Sequence, residues 1–154
     1  MPIDKSQLYR EINQQAQALM EGEKDLIANL ANLSALLWMR LPDINWAGFY
    51  LLKEDQLVLG PFQGKPACVR IPMGRGVCGT AAKLETPQLV RDVHEFEGHI
   101  ACDVASNSEV VVPFYTEGRL AGVLDIDSPS VGRFDQQDLQ GLLTVVESLQ
   151  VALG

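Results

Sequence analysis

The chain has 154 residues, 47% of them hydrophobic and 21% charged, which is enough apolar mass for one core and too little length for two ordinary domains. Twelve Lys and Arg against 20 Asp and Glu give a formal net charge of -8, so nucleic acid or an anionic membrane would meet repulsion, and the fitting visitor is small and carries a positive group. No apolar run approaches the roughly 20 residues that span a bilayer, and the start Met1-Pro2-Ile3-Asp4-Lys5 is not a secretory leader, so the expected location is cytoplasmic.

Asp4 and Ser6 are candidate N-caps before Leu8, Ile12, Ala16 and Leu19, whose spacing of about four predicts an amphipathic helix ending near Gly22. Leu26, Leu30, Leu33 and Leu37 predict a second helix, closed by Pro42. From Ile44 the period becomes two: Ile44, Trp46, Gly48, Tyr50 and Leu52 share one face of a strand, and Asn45, Ala47, Phe49 and Leu51 the other. Trp46 and Tyr50 thus lie on one side, which by itself reads as an aromatic pair in the core. Further strands are expected near Gln56-Leu59 and Ala67-Ile71.

Gly74-Arg75-Gly76-Val77-Cys78-Gly79 spells G-x-G-x-x-G, but the segment before it alternates and contains Arg70, whereas a dinucleotide-binding strand is an apolar run inside a βαβ unit. These glycines are better read as a tight turn into a short helix, Val77-Leu84, whose first amides could face a ligand carboxylate. Arg91 to Ser108 has no period and reads as a long functional loop. Glu109-Tyr115 and Arg119-Asp127 form a hairpin around Glu117-Gly118, and Asp135 caps a last helix with Leu139, Leu142, Leu143, Val146 and Leu153 inward. The order describes one α+β domain over 1–154 with a mainly antiparallel sheet: N-terminal helices in 1–42, then sheet, loop and C-terminal helix in 43–154.

Asp125 and Asp127 are two apart on a strand and share a face. A three-residue turn Thr116-Glu117-Gly118 would pair Tyr115 with Arg119 and set Glu109 opposite Asp125, bringing three carboxylates together; a two-residue turn would send Glu109 to the other face. Such a cluster raises its own pKa values, can hold a proton for a developing oxyanion, and can bind an ammonium group.

Cys68, Cys78 and Cys102 make an odd count, unlike a secreted disulfide scaffold. Zinc held by these three with His99 is disfavoured, because structural zinc sites use tight pairs and the closest cysteines here are ten apart; no metal or organic cofactor is expected. Cys78, at an apolar helix start, suits a buried inert thiol. Cys102, between His99 and Asp103 in a polar loop, is placed like an accessible nucleophile that a cationic ligand would activate.

Asn45-Trp46-Ala47-Gly48-Phe49-Tyr50, Gly60-Pro61-Phe62-Gln63-Gly64, Gly76-Val77-Cys78-Gly79-Thr80, Gly98-His99-Ile100-Ala101-Cys102-Asp103, Ser106-Asn107-Ser108-Glu109-Val110-Val111-Val112-Pro113 and Leu124-Asp125-Ile126-Asp127-Ser128 together resemble the free methionine-(R)-sulfoxide reductases, which are stand-alone GAF-type domains. The resemblance runs from about Asn45 to the last helix. It implies a GAF-like fold with the terminal helices packed on one side, and reduction of free methionine-R-sulfoxide. By similarity Cys102 matches the catalytic cysteine, Cys68 the resolving one and Cys78 an auxiliary one. Trp46 and Tyr50 match pocket aromatics, and Glu109, Asp125 and Asp127 match substrate-binding and catalytic acids. The implied cycle has Cys102 attack the sulfoxide sulfur while Glu109 or Asp127 donates a proton, Cys102 become a sulfenic acid, and Cys68 close a disulfide that thioredoxin reopens. The amphipathic terminal helices would suit a homodimer. A ligand-sensing GAF module and a non-catalytic thiol switch are the competing readings; two reactive cysteines would be superfluous in a sensor.

Overall fold

Asp4 opens the first helix by accepting the Gln7 amide, filling a donor that a helix start leaves unpaired. In the computed structural model, which describes residues 4–98 and 106–154, this helix is α1 (Lys5–Met20), and Asp25 caps α2 (Leu26–Arg40) in the same way. There follow β1 (Trp46–Lys53), β2 (Gln56–Gly64), β3 (Arg70–Pro72), α3 (Gly76–Leu84), β4 (Gln88–Val90), a 3-10 turn over Val93–Glu95, β5 (Ser108–Thr116), β6 (Arg119–Ser128) and α4 (Gln136–Leu153).

The sheet runs in the order β3-β2-β1-β6-β5-β4 and every pairing is antiparallel. One face is covered by α2 and α4, against which α1 packs in turn, and Ile12, Leu30, Leu37, Leu142 and Leu149 share one core with Ala47, Phe49, Val112, Leu124 and Ile126. The opposite face packs Trp46, Tyr50, Val111 and Val123 against Val77, Cys78, Ala81 and Ala82 of α3. The two-residue alternation read from Ile44 onward is therefore what splits the interior into two cores. Among the described residues no helix is long and apolar enough to cross a membrane.

Several local expectations are corrected. The buried row of α1 is Tyr9, Ile12, Ala16 and Met20, while Leu19 is 46% exposed, because position 20 continues the i, i+4 row from 12 and 16 and position 19 is rotated off it. The third strand begins at Arg70, so Ala67 and Cys68 lie in the connection after β2. The strand β4 was not anticipated, since three residues are too few to display a period. Gly79 has a packing role: a Cβ there would meet the Pro72 carbonyl at 2.5 Å, so α3 can approach the strand before it only without a side chain.

The hairpin corrects the register argument in an instructive way. Its turn has two residues, Glu117 (φ 52) and Gly118 (φ 76), both left-handed as a primed turn requires. Thr116 therefore pairs with Arg119, and Tyr115 with Leu120 rather than Arg119. Such a turn alone would have sent Glu109 to the helix-covered face. A register shift at Phe114/Tyr115 carries the pairing on as Phe114 with Gly122, leaving Ala121 as an extra residue, and Glu109 comes to lie opposite Asp127, not Asp125. One inserted residue restores the parity.

Candidate active site

The α3-facing side of the three central strands carries an apolar row beside an acidic one. On β1 it presents Trp46, Gly48 and Tyr50, and these pair across to Asp127, Asp125 and Val123 of β6. On β5 it presents Glu109 opposite Asp127 and Val111 opposite Asp125. The three acids named from the sequence therefore share a face.

Over them lies a cavity of ≈ 60 Å³ walled by Trp46, Tyr50, Pro66, Ala67, Ile71, Arg75, Gly76, Val77, Cys78, Ser106, Glu109, Asp125 and Asp127. Trp46 stacks between Tyr50 and Phe62, at centroid distances of 5.8 and 5.1 Å, an arrangement that fixes both ring planes. The indole N–H donates to the Lys65 carbonyl at 3.1 Å and the Tyr50 hydroxyl donates to the Cys68 carbonyl at 2.9 Å. The aromatic wall is thereby tied to the segment carrying Cys68. The two aromatics are at once core residues and cavity lining, so both sequence readings of them describe the same side chains.

The first turn of α3 supplies the other wall. Gly76 N–H is spent on the Gly98 carbonyl and Gly79 N–H on Arg75, while Val77 and Cys78 between them line the cavity, so the positive end of the helix meets the space where a ligand would lie. Arg75, exposed at the edge, adds a cation.

Glu109 is 8% exposed and Asp125 5%. Burial, and then the Asp127 and Glu109 carboxylates, push the Asp125 carboxyl well above the usual carboxylate range. Its Oδ1 has no hydrogen-bond partner among the described residues. Burial, followed by Asp125, Glu109 and Asp127, likewise pushes the Cys78 thiol up; it stays protonated and donates to Glu109 Oε2 at 3.7 Å. Tyr50 is raised by burial and the same acids and keeps its proton. The site thus holds the protonated Asp125, Cys78 and Tyr50 side chains in a buried, acidic pocket.

Cys78 is a free, buried thiol and Cys68 is disulfide-bonded. Cys102, with His99 and Asp103, lies outside the described residues. Ser106, Arg75 and Phe62 stand within the sequence motifs, but none was given a role of its own. Ser106 exchanges hydrogen bonds with Asn45, and Phe62 reaches Trp46 because Gly48 opposite it carries no Cβ. Neither relation has a periodic signal; each depends on cross-strand register.

Residues 17–154 match the GAF domain family. A free methionine-R-sulfoxide reductase of Escherichia coli (strain K12) is 58% identical over 151 residues, covering 98% of this chain and 92% of that protein. The structure of fRMsr of Staphylococcus aureus in complex with substrate superposes with a TM-score of 0.92 at 49% identity, covering 100% of this chain and 98% of that one. The free methionine-R-sulfoxide reductase from Neisseria meningitidis, in complex with its substrate, gives 0.94 at 43% identity, covering 99% and 92%. With its fold, its acidic cavity and these likenesses together, the chain belongs to the GAF domain family and, within it, to the free methionine-R-sulfoxide reductases.

Proposed function

We propose that this chain reduces free methionine-R-sulfoxide to methionine. The observation that carries the reading is the convergence of Glu109, Asp125 and Asp127 on one small cavity walled by Trp46 and Tyr50. The methyl-sulfinyl end lies against the aromatic wall, the substrate carboxylate meets the first turn of α3 and Arg75, and its ammonium faces the acidic side chains. The small size of that cavity favours a free amino acid over a peptide chain.

In the chemical step Cys102 attacks the sulfoxide sulfur while a carboxyl protonates the oxygen. Methionine departs with the sulfur electron pair and the oxygen remains on Cys102 as a sulfenic acid, so the thiol is oxidised by two electrons and the sulfoxide reduced by two. The raised pKa of Asp125 makes it the proton reservoir of the three acids, feeding Glu109 or Asp127. The Cys68 thiol then condenses with the sulfenic acid, releasing water and forming a disulfide. That Cys68 is disulfide-bonded supports a redox role for it. A dithiol such as thioredoxin reopens that bond by exchange, with Cys102 and Cys68 returning as thiols. Every electron comes from thiols, so the cycle calls for no resident cofactor.

The test is coupled turnover: free methionine-R-sulfoxide, thioredoxin, its reductase and NADPH, with wild type, Cys102→Ser and Cys68→Ser. Continuous NADPH loss in wild type, none in Cys102→Ser, and a single turnover in Cys68→Ser are expected. Ligand binding without turnover in wild type would instead make the chain a sensor, and comparable turnover of peptide-bound sulfoxide would refute selectivity for the free amino acid.

A further inference from the structure

Cys78 has no step in that cycle, yet its buried thiol lines the cavity. Its Sγ and one carboxylate oxygen each from Glu109 and Asp125 all lie within 4.8 Å of one another. The Sγ to Glu109 Oε2 separation is 3.7 Å. A tetrahedral zinc ion with Zn–S near 2.3 Å and Zn–O near 2.0 Å spans an S···O edge of about 3.5 Å, so this pair already stands close to the ligand spacing. The three donors come from α3, β5 and β6, three packed elements, which preorganises them without relying on a flexible loop.

A second observation points at a ligand rather than at mutual packing. Asp125 is 5% exposed, its Oδ1 has no hydrogen-bond partner among the described residues, and it lines the cavity. A buried carboxyl oxygen left without a partner is costly, and a cation that replaces the carboxyl proton would satisfy it.

We infer that Cys78, Glu109 and Asp125 form a binding site for a borderline divalent cation of the zinc class, with the cavity supplying water as the fourth ligand. One thiolate with two carboxylates suits zinc, and its thiophilic relative cadmium, better than calcium or magnesium, which take more oxygen donors. On binding, the cation displaces the protons of Cys78 and Asp125 to solvent; no electron moves. This donor set shares only Cys78 with the Cys68, Cys78, Cys102 and His99 set that sequence spacing disfavoured, and no sequence spacing would have suggested it. The inference does not rest on the reductase reading, because the metal alone reads it out. An ion seated there occupies two of the three carboxylates and closes the cavity to other ligands.

The experiment uses the full chain as the Cys68→Ser/Cys102→Ser double variant, in which Cys78 is the sole thiol. Cadmium titration should raise an ultraviolet cadmium–thiolate charge-transfer band saturating at one equivalent, and zinc should be taken from a chromophoric chelator with the same stoichiometry. Adding Cys78→Ser should abolish the band, and Asp125→Asn should weaken zinc binding by more than the roughly 10–100-fold typical of losing an outer-shell partner. Circular dichroism of each variant checks folding, and should Cys78→Ser fail to fold, the Asp125→Asn comparison in the double variant decides. Absence of the band, more than one equivalent at saturation, or zinc binding unaltered by Asp125→Asn would each overturn the assignment.

Discussion

Gly122→Ala probes the strand that carries two of the three acids. Gly122 pairs with Leu51 on β1 and with Phe114 on β5, next to the inserted Ala121. A Cβ there would stand 2.0 Å from the Tyr50 carbonyl oxygen and 3.0 Å from the Phe114 ring. Since real Cβ contacts essentially never fall under 3.0 Å, at least 1.0 Å (3.0 less 2.0) has to be found, and the obstructing atom is backbone, held in the β1–β6 ladder. Overpacking a tight site costs about 1–3 kcal/mol, and an immovable neighbour places this case at the upper end. For a chain of this length about 3 kcal/mol lowers the melting temperature by roughly 6–12 °C. The assay is thermal unfolding by circular dichroism at fixed disulfide state, beside Gly118→Asn as control: Gly118 is left-handed with nothing within 4 Å of its Cβ position, Asn tolerates that conformation, and the change should stay within about 1 kcal/mol. Any Gly122→Ala protein that does fold should also bind ligand more weakly, because β6 moves Asp125 and Asp127 with it. A melting temperature for Gly122→Ala within about 2 °C of wild type would refute the close approach of β6 to β1.

Asp125→Asn should change the pH dependence of stability. With the folded carboxyl raised above the ordinary value of about 3.9, the folded chain keeps a proton that the unfolded chain has released, so stability falls as pH rises through that window, at up to about 1.4 kcal/mol per pH unit. Denaturant unfolding at several pH values in the presence of a chelator should show this slope in wild type and not in Asp125→Asn; parallel curves would disprove it. Tyr50→Phe removes the 2.9 Å bond to the Cys68 carbonyl and should cost about 1 kcal/mol in urea unfolding, together with slower re-formation of the Cys68 disulfide after reduction; equal rates would show that the phenol does not hold that segment. Tyr9→Phe deletes the 2.8 Å bond to Asp138, a carboxylate 1% exposed that Lys5 and Arg133 also contact. Charged acceptors make such bonds worth about 1.5–3 kcal/mol, and an unchanged urea midpoint would argue against it.

Much of this was legible before any coordinates. Period-two alternation assigned Trp46 and Tyr50 to one face and Phe49 and Leu51 to the other, because a strand's side chains have no third direction. Helix caps at Asp4 and Asp135 showed themselves because capping is local chemistry between residues three apart. Asp125 and Asp127 were placed together by the same parity. The failures are equally specific: Leu19 was assigned to the buried side of α1 although Met20, the next residue, continues that row, and the three residues of β4 were too short to carry a pattern.

The sequence by itself determined the fold class, the faces of the longer elements and, through its joined motifs, the family. What only the tertiary structure decided is which distant residues meet. Glu109 joins the aspartates because an inserted Ala121 reverses the parity imposed by a two-residue turn; Cys78 joins them because α3 packs across the sheet without a side chain at Gly79. Parity along one strand is local and readable, whereas register between strands and the approach of a helix are set by long-range packing, which leaves no period in the chain.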